Sequence, residues 1–143
     1  MWGTYGVWKG GLFVSFVRST TFDREPKFNK AVKDFGTNSA AEVFADIDDF
    51  EFDWCNGMEE DQLFARYDFK PLKRIRRPYG LFQLHVGPNR KHLSYRAVLM
   101  FYDKQSRACW VYAFKKDPKS ETEEINRAVA RADERWNKIK GVQ

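Results

Sequence analysis

The sequence has little of what metal-based or disulfide-based proteins need. It contains only two cysteines, Cys55 and Cys109, which are far apart in the chain, and two histidines, His85 and His92. Zinc sites and disulfide frameworks require closely paired spacing of these residues. Glycine-rich phosphate loops and nucleophile elbows are also absent. We therefore predict a site that uses no metal and no cofactor and is built from ordinary polar side chains.

Long hydrophobic runs are missing as well. No segment approaches the roughly 18 apolar residues of a membrane helix. The beginning of the chain, MWGTYGVWKGGLFVSFV, has no basic region before a sustained apolar run, so it does not read as a signal peptide. We expect a cytoplasmic protein with reduced thiols and no membrane partner.

What the chain does contain is a packed core and an uneven charge distribution. It has 143 residues, of which 43% are hydrophobic and 17% aromatic, which is typical of one globular domain. The net charge is +5. No Lys or Arg occurs between Glu42 and Asp61, whereas the stretch from Arg66 to Lys119 is strongly basic. The acidic stretch is expected to form a solvated helix face.

The first half of the chain predicts an arm, a strand and two helices. Residues 1–11 are rich in Gly and aromatics and form an N-terminal arm, and residues 12–143 form a single domain. Residues 12–17 alternate like a strand. Pro26 opens a first helix that stops at Gly36, and Ser39 with Glu42 forms a capping box that opens a second helix.

The second half predicts three strands and a last helix. Residues 58–79 read as a basic connection. Strands follow at residues 81–86, 93–102 and 108–114, and Ser120 with Glu123 caps a final amphipathic helix. The predicted order is β-α-α-β-β-β-α. This is an α+β fold with a mainly antiparallel four-stranded sheet packed against helices.

Arg96 is the first candidate site residue. Strand alternation places it on the face of Val98, Met100 and Tyr102, opposite the face of Tyr95 and Ala97. A charge among apolar neighbours is costly to bury, so Arg96 either forms an ion pair or binds a phosphate in a cleft.

Two further kinds of side chain can join Arg96. Lys115 and Lys116 end the third strand, and only one of them can share the side of Arg96. His85 ends the preceding strand, and the unperturbed pKa of a histidine suits acid–base work near neutrality. Two neighbouring cations would lower that pKa and favour a neutral base. These types suit RNA cleavage without metal, and they equally describe an RNA-binding module that cuts nothing.

Three segments resemble the RelE/ParE superfamily of type II toxin–antitoxin modules, most nearly its phage-derived, HigB-like branch. They are GLFQLHV, LSYRAVLMFYD and VYAFKKDPKSETEEINRA, and the resemblance covers about half of the chain well. The resemblance implies a RelE-like toxin domain, an mRNA interferase that enters the ribosome, cleaves mRNA and inhibits growth. It also implies a cognate antitoxin, often with a helix-turn-helix domain.

The resemblance assigns roles residue by residue. Arg96 matches a phosphate-stabilising arginine and Lys116 a basic residue after the last strand; His85 is the candidate base. Thr122 stands near the position of a tyrosine that some members use, so that function is either missing or moved to Tyr95, Tyr112 or His92. The residues expected to contact RNA are Lys115, Gln83, Tyr95, His92, Lys70, Lys73, Arg74, Arg76 and Arg77.

Two other functions stay open at this point. A ParE-like protein inhibits a protein target such as gyrase without cutting RNA, and a phage or mobile-element binding module can keep the fold without toxicity. The antitoxin is expected to cover either the basic cleft or the acidic helical hairpin, because complementary charge steers association.

Overall fold

The structure is a computed structural model that describes residues 7–9, 12–14, 18–72, 77–88, 95–103 and 106–141. Within these ranges the chain is an α+β protein with four helices and a five-stranded mixed sheet. The strands are β1 (Val7–Lys9), β2 (Leu12–Val14), β3 (Thr21–Arg24), β4 (Lys70–Pro71), β5 (Gly80–Val86), β6 (Tyr95–Tyr102) and β7 (Arg107–Lys115). The helices are α1 (Pro26–Lys33), α2 (Thr37–Cys55), α3 (Glu60–Tyr67) and α4 (Glu121–Lys140).

The main sheet has the strand order β3-β7-β6-β5-β4. The three strands β5, β6 and β7 form an antiparallel meander, as the short polar connections between them predict. β3 joins the edge of β7 in parallel. Parallel neighbours need a long crossover, and here helices α1 to α3 and strands β4 to β6 lie between the two strands in the chain.

The predicted first strand does not belong to the main sheet. Leu12–Val14 is a strand, but it pairs with Val7–Lys9 in a separate two-stranded sheet, and β3 takes the place beside β7. Residues 7–9 of the predicted arm form β1, and residues 1–6, 10, 11 and 15–17 lie outside the described residues. Thr21 and Phe22 are β-favouring residues, so the signal for β3 was present but only four residues long.

The predicted basic connection at residues 58–79 contains α3 and β4. The Glu59 backbone N–H donates to the Gln62 side chain over 3.2 Å, which fixes the start of α3. The helix ends at Asp68, whose φ of 52° is left-handed. β4 then pairs with β5 at the sheet edge, where Pro71 is tolerated. The sheet therefore has five strands rather than four.

The helix starts also differ from the capping boxes expected. α2 begins at Thr37, directly after Gly36, so Ser39 lies inside the helix and does not cap it. Gly36 has a φ of 101°, a value that only glycine adopts readily. Ser120 precedes α4 as predicted, but its side chain makes no capping hydrogen bond within the described residues.

The core lies on both sides of the main sheet, as the alternation in β6 predicts. Tyr95, Ala97, Leu99 and Phe101 belong to the larger core cluster, which includes buried residues of α1, α2 and α3. Val98, Met100 and Tyr102 belong to the second cluster, with Ala128, Val129 and Ala132 of α4. All eight residues of β6 are buried, and Arg96 is the charged one among them.

Candidate functional site

His85 of β5 and Arg96 of β6 form a cross-strand pair at the centre of the site. They are directly opposite each other in the antiparallel register, so their side chains share one face of the sheet. This is the face that α4 covers. His85 is 4% exposed and Arg96 is 3% exposed. Two nitrogen-rich groups buried side by side require anionic partners or a polar cleft.

Asp68 and Lys70 extend this pair toward the sheet edge. Asp68 Oδ2 lies 2.9 Å from Nε2 of His85 and 3.4 Å from Nζ of Lys70. Asp68 occupies this position because it is the C-terminal cap of α3 and lies two residues before β4. Lys70 is 40% exposed at its side chain, so the cluster runs from the buried pair to the surface.

Lys116 completes the cluster on its other side. Phe114 is opposite Arg96 in the register, and Lys116 follows two residues later, which is the spacing that returns to the same face. The positive charge of Lys116 favours a lower pKa of His85. The negative charge of Glu121, at the start of α4, favours a higher pKa of Arg96. We name the group of His85, Arg96, Lys116, Lys70 and Asp68 the basic cluster.

Burial and the neighbouring cations make His85 a neutral imidazole near pH 7. Burial, followed by the charge of Arg96, lowers the pKa of His85 to about 4, although Asp68 acts in the opposite direction. Burial likewise lowers the pKa of Arg96, against the opposing charges of Glu121 and Asp68. The cluster thus contains an unprotonated ring nitrogen, which can accept a proton, beside fixed positive charge.

A groove lies beside the cluster, between the sheet edge and the start of α4. Its volume is about 470 Å³. It is lined by Lys70, Pro71, Leu72, Gln83, Thr122, Ile125 and Asn126. Gln83 is opposite Lys70 in the register and two residues before His85, so it lies on the same face as the basic cluster. The groove provides room for a ligand next to the buried pair.

The structure places the other predicted site residues elsewhere. Tyr95 lies on the opposite face of the sheet, where its ring centroid is 4.5 Å from that of Phe35. Lys115 is opposite Tyr95 in the register and shares that face. Arg77 forms an ion pair of 3.1 Å with Asp133 of α4. Lys73, Arg74, Arg76 and His92 lie outside the described residues.

Tyr112 and Thr122, the other described residues connected with the tyrosine role, lie in different surroundings. The Tyr112 hydroxyl donates to Glu124 Oε1 over 3.0 Å, and burial together with this carboxylate raises the pKa of Tyr112. Thr122 is exposed and lines the groove. The tyrosine that some RelE-type proteins use therefore has no counterpart in the groove among the described residues.

Sequence reasoning did not identify Asp68 as a site residue. One feature of the sequence could have indicated it, because Asp68 is one of only three acidic residues in the basic stretch from Arg66 to Lys119. Its importance depends on the end of α3 and on the pairing of β4 with β5, and neither element was predicted. A lone carboxylate among cations is informative once its position in the fold is known.

The acidic stretch contributes structural contacts as well as a solvated face. Glu51 accepts a hydrogen bond of 2.8 Å from Nε1 of Trp110. Asp53 accepts a hydrogen bond from the Tyr67 hydroxyl, and Asp46 accepts one from the Gly87 backbone N–H. The expectation of a purely solvated face is therefore wrong for these three residues.

The lowered pKa of His85 predicts a specific loss of stability in acid. Between pH 6.5, the ordinary value, and about pH 4, the unfolded chain binds a proton at His85 that the folded chain does not bind. The free energy of unfolding should therefore fall as the pH drops through this window, by on the order of 3 kcal/mol from this residue. Urea unfolding at pH 7 and pH 4.5 measures the loss.

The control for this prediction is His85→Gln, which cannot titrate. Other groups contribute to acid sensitivity in both proteins, so the informative quantity is the difference between them. The wild type should lose more stability than the variant. Equal losses in the two proteins would show that His85 keeps an ordinary pKa in the folded state.

No protein-family profile matches the chain, and no curated protein or solved structure is significantly similar to it. Among the described residues, no three His, Cys, Asp or Glu side chains converge as a metal site. None of the helices in the described ranges combines the length and apolar composition needed to cross a bilayer. The basic cluster and its groove are therefore the features from which a function can be inferred.

Proposed function

We propose that the protein is the toxin of a type II toxin–antitoxin module, a RelE-like endoribonuclease that cleaves mRNA on the ribosome without a metal. The observation that carries the proposal is the cross-strand pair of His85 and Arg96, buried beside an open groove and flanked by Lys70 and Lys116. The imidazole of His85 is neutral near pH 7, and Arg96, Lys70 and Lys116 are close enough for their charges to lower its pKa, which supports the proposal.

The cluster supplies the parts that cleavage of a phosphodiester requires. His85 accepts the proton of the ribose 2′-hydroxyl as that oxygen forms a bond to phosphorus. Arg96 and Lys70 stabilise the charge that develops on the phosphoryl oxygens. The bond from phosphorus to the 5′-oxygen then breaks, and the Lys116 ammonium donates a proton to the leaving oxygen. The products are a 2′,3′-cyclic phosphate and a 5′-hydroxyl.

The fold is compatible with the resemblance at the positions that matter most. Arg96, at the start of the middle meander strand, and Lys116, just after the last strand, are the two residues that the resemblance assigned to phosphate chemistry. They come together with His85 on the α4 side of the sheet. The five-stranded sheet, the separate two-stranded sheet of β1 and β2 and the threonine at position 122 are departures from the expected pattern.

The groove also indicates how the toxin would be silenced. A cognate antitoxin with a helix-turn-helix domain would cover the groove with an acidic or aromatic segment, since the cluster around it is mainly cationic. The toxin would act in the cytoplasm, where ribosomes and mRNA are found. This partner and location are part of the proposal.

The test is cleavage of a defined mRNA in a purified translation system, with and without ribosomes. The proposal predicts cuts that depend on both the protein and the ribosome. Growth arrest on expression without RNA cleavage would instead support a ParE-like inhibitor of a protein target. If the protein neither cleaves mRNA nor arrests growth, it is a binding module with this fold.

A further inference from the structure

The carboxylate of Asp68 lies beside His85, although it has no part in the reaction proposed above. Its Oδ2 atom lies 2.9 Å from Nε2 of His85, and that nitrogen is completely covered by protein. The contact is short enough for a hydrogen bond, although the N–H direction is not aligned with the carboxylate in this resting geometry. Such contacts often become aligned only when a substrate is bound.

The backbone fixes this carboxylate in place. Asp68 ends α3 with a left-handed φ of 52°, and its N–H donates to the Phe64 carbonyl over 2.8 Å. β4 begins two residues later and is paired with β5, the strand that carries His85. The elements that carry Asp68 and His85 are therefore neighbours, so the backbone holds the two side chains close together.

We propose that Asp68 is a positioning residue for His85 in RNA cleavage. It orients the neutral ring so that Nε2 carries the proton and Nδ1 is free to accept the proton of the 2′-hydroxyl. This inference rests on the proposed endoribonuclease function. It extends that function to a carboxylate–imidazole pair, in which Asp68 also stabilises the imidazolium formed when Nδ1 takes up the proton.

The charges around His85 are compatible with this role. Arg96 faces it from β6, Lys70 from β4 and Lys116 from the end of β7, and all three oppose a positive charge on the ring. Asp68 is the carboxylate that favours such a charge, and Glu121 of α4 acts on Arg96 instead. Removing the negative charge of Asp68 should therefore make His85 harder to protonate.

Asp68→Asn is the decisive variant because it removes the charge and keeps the shape. Asparagine also tolerates the left-handed backbone at this position, so the fold should persist. The matched control is Asp103→Asn. Asp103 is exposed, has a similar φ of 55° and lies in the turn after β6, at the far end of the sheet from Arg96.

Two measurements are made on each protein. One is the rate of mRNA cleavage as a function of pH, with kcat and KM separated; the other is the NMR titration of the His85 ring. For Asp68→Asn we expect a fall in kcat of roughly tenfold or more with KM little changed. The acid limb of the rate profile and the His85 pKa should both move to lower pH. Asp103→Asn should behave as the wild type.

The results distinguish this inference from the proposed function. If the wild type cleaves mRNA and Asp68→Asn cleaves it equally well with an unchanged titration, Asp68 does not position His85. If kcat falls in Asp68→Asn while the rate profile and titration stay unchanged, its role is structural and the inference is wrong. If the wild type does not cleave mRNA at all, the proposed function fails, and a catalytic role for Asp68 fails with it.

Discussion

Arg96→Ala is expected to reduce the rate of mRNA cleavage by about a hundredfold or more, because in the proposed mechanism it removes the charge that stabilises the phosphoryl oxygens beside His85. Arg96 is buried and directly opposite His85, so no nearby lysine can take the same position. Cleavage of a defined mRNA by purified protein measures the effect. Growth arrest on expression should be lost in parallel.

The matched control is Arg107→Ala, at the opposite end of the sheet. Arg107 is 52% exposed at its side chain and pairs with Asp23, so its removal takes away the same charge without touching the basic cluster. This variant should cleave mRNA at close to the wild-type rate. If the two variants lose activity equally, net charge rather than the cluster determines the rate.

A folding control is needed because Arg96 is buried. Arg96→Lys keeps the positive charge but lacks the planar fork that binds a phosphate at two points, so intermediate activity is expected. Circular dichroism and thermal unfolding of both variants separate lost chemistry from lost structure. A folded Arg96→Ala protein with full activity would exclude Arg96 from the site.

Trp110→Ala is expected to have the largest effect on stability, a loss of about 4–5 kcal/mol in the free energy of unfolding. Trp110 is fully buried, and its ring packs against Phe22, Phe28 and Phe50 at centroid distances of 6.3, 5.9 and 5.8 Å. The variant would also leave Glu51 without the indole N–H. Because domains of this size are stable by only about 5–15 kcal/mol, much of the protein could unfold.

Two further tryptophan variants make this prediction sharper. Trp110→Phe keeps an aromatic ring and loses the hydrogen bond to Glu51, and should cost about 1–2 kcal/mol. Trp136→Ala should cost a similar amount, because Trp136 is only partly buried and packs on Tyr79 at 5.6 Å. Urea unfolding of the three variants gives the order. A larger loss in Trp136→Ala than in Trp110→Ala would contradict the described core.

The second half of the fold could be predicted from the sequence because its patterns are long. The apolar strands β5 to β7 and the amphipathic α4 each span seven residues or more. Alternation in β6 separated the two faces correctly, including the side on which Arg96 lies. Long periodic segments are where local preference and tertiary packing agree.

The missed elements are short or depend on distant partners. β3 has four residues and β4 has two, and each becomes a strand by pairing with a neighbour far away in the chain. α3 has eight residues, with only Leu63 and Tyr67 fully buried, so its periodic signal is weak. Pairing of this kind is decided by tertiary contacts that local sequence does not contain.

The site shows the same division. His85, Arg96 and Lys116 were identified from strand ends and residue type, and the register then brought them together. Tyr95 was a candidate for the tyrosine role of the family, yet strand alternation puts it on the face opposite Arg96, and the structure agrees. Asp68 was missed because its position depends on α3 and β4, the two elements that sequence did not reveal.

The most direct test of the central claim is the chemistry of the RNA ends that the wild-type protein leaves on ribosome-bound mRNA. Attack by the 2′-hydroxyl with His85 as base predicts a 2′,3′-cyclic phosphate, or the 3′-phosphate formed from it, and a 5′-hydroxyl on the other fragment. These ends should disappear with Arg96→Ala and persist with Arg107→Ala. Fragments with 5′-phosphate and 3′-hydroxyl ends, or no fragments at all, would contradict the account.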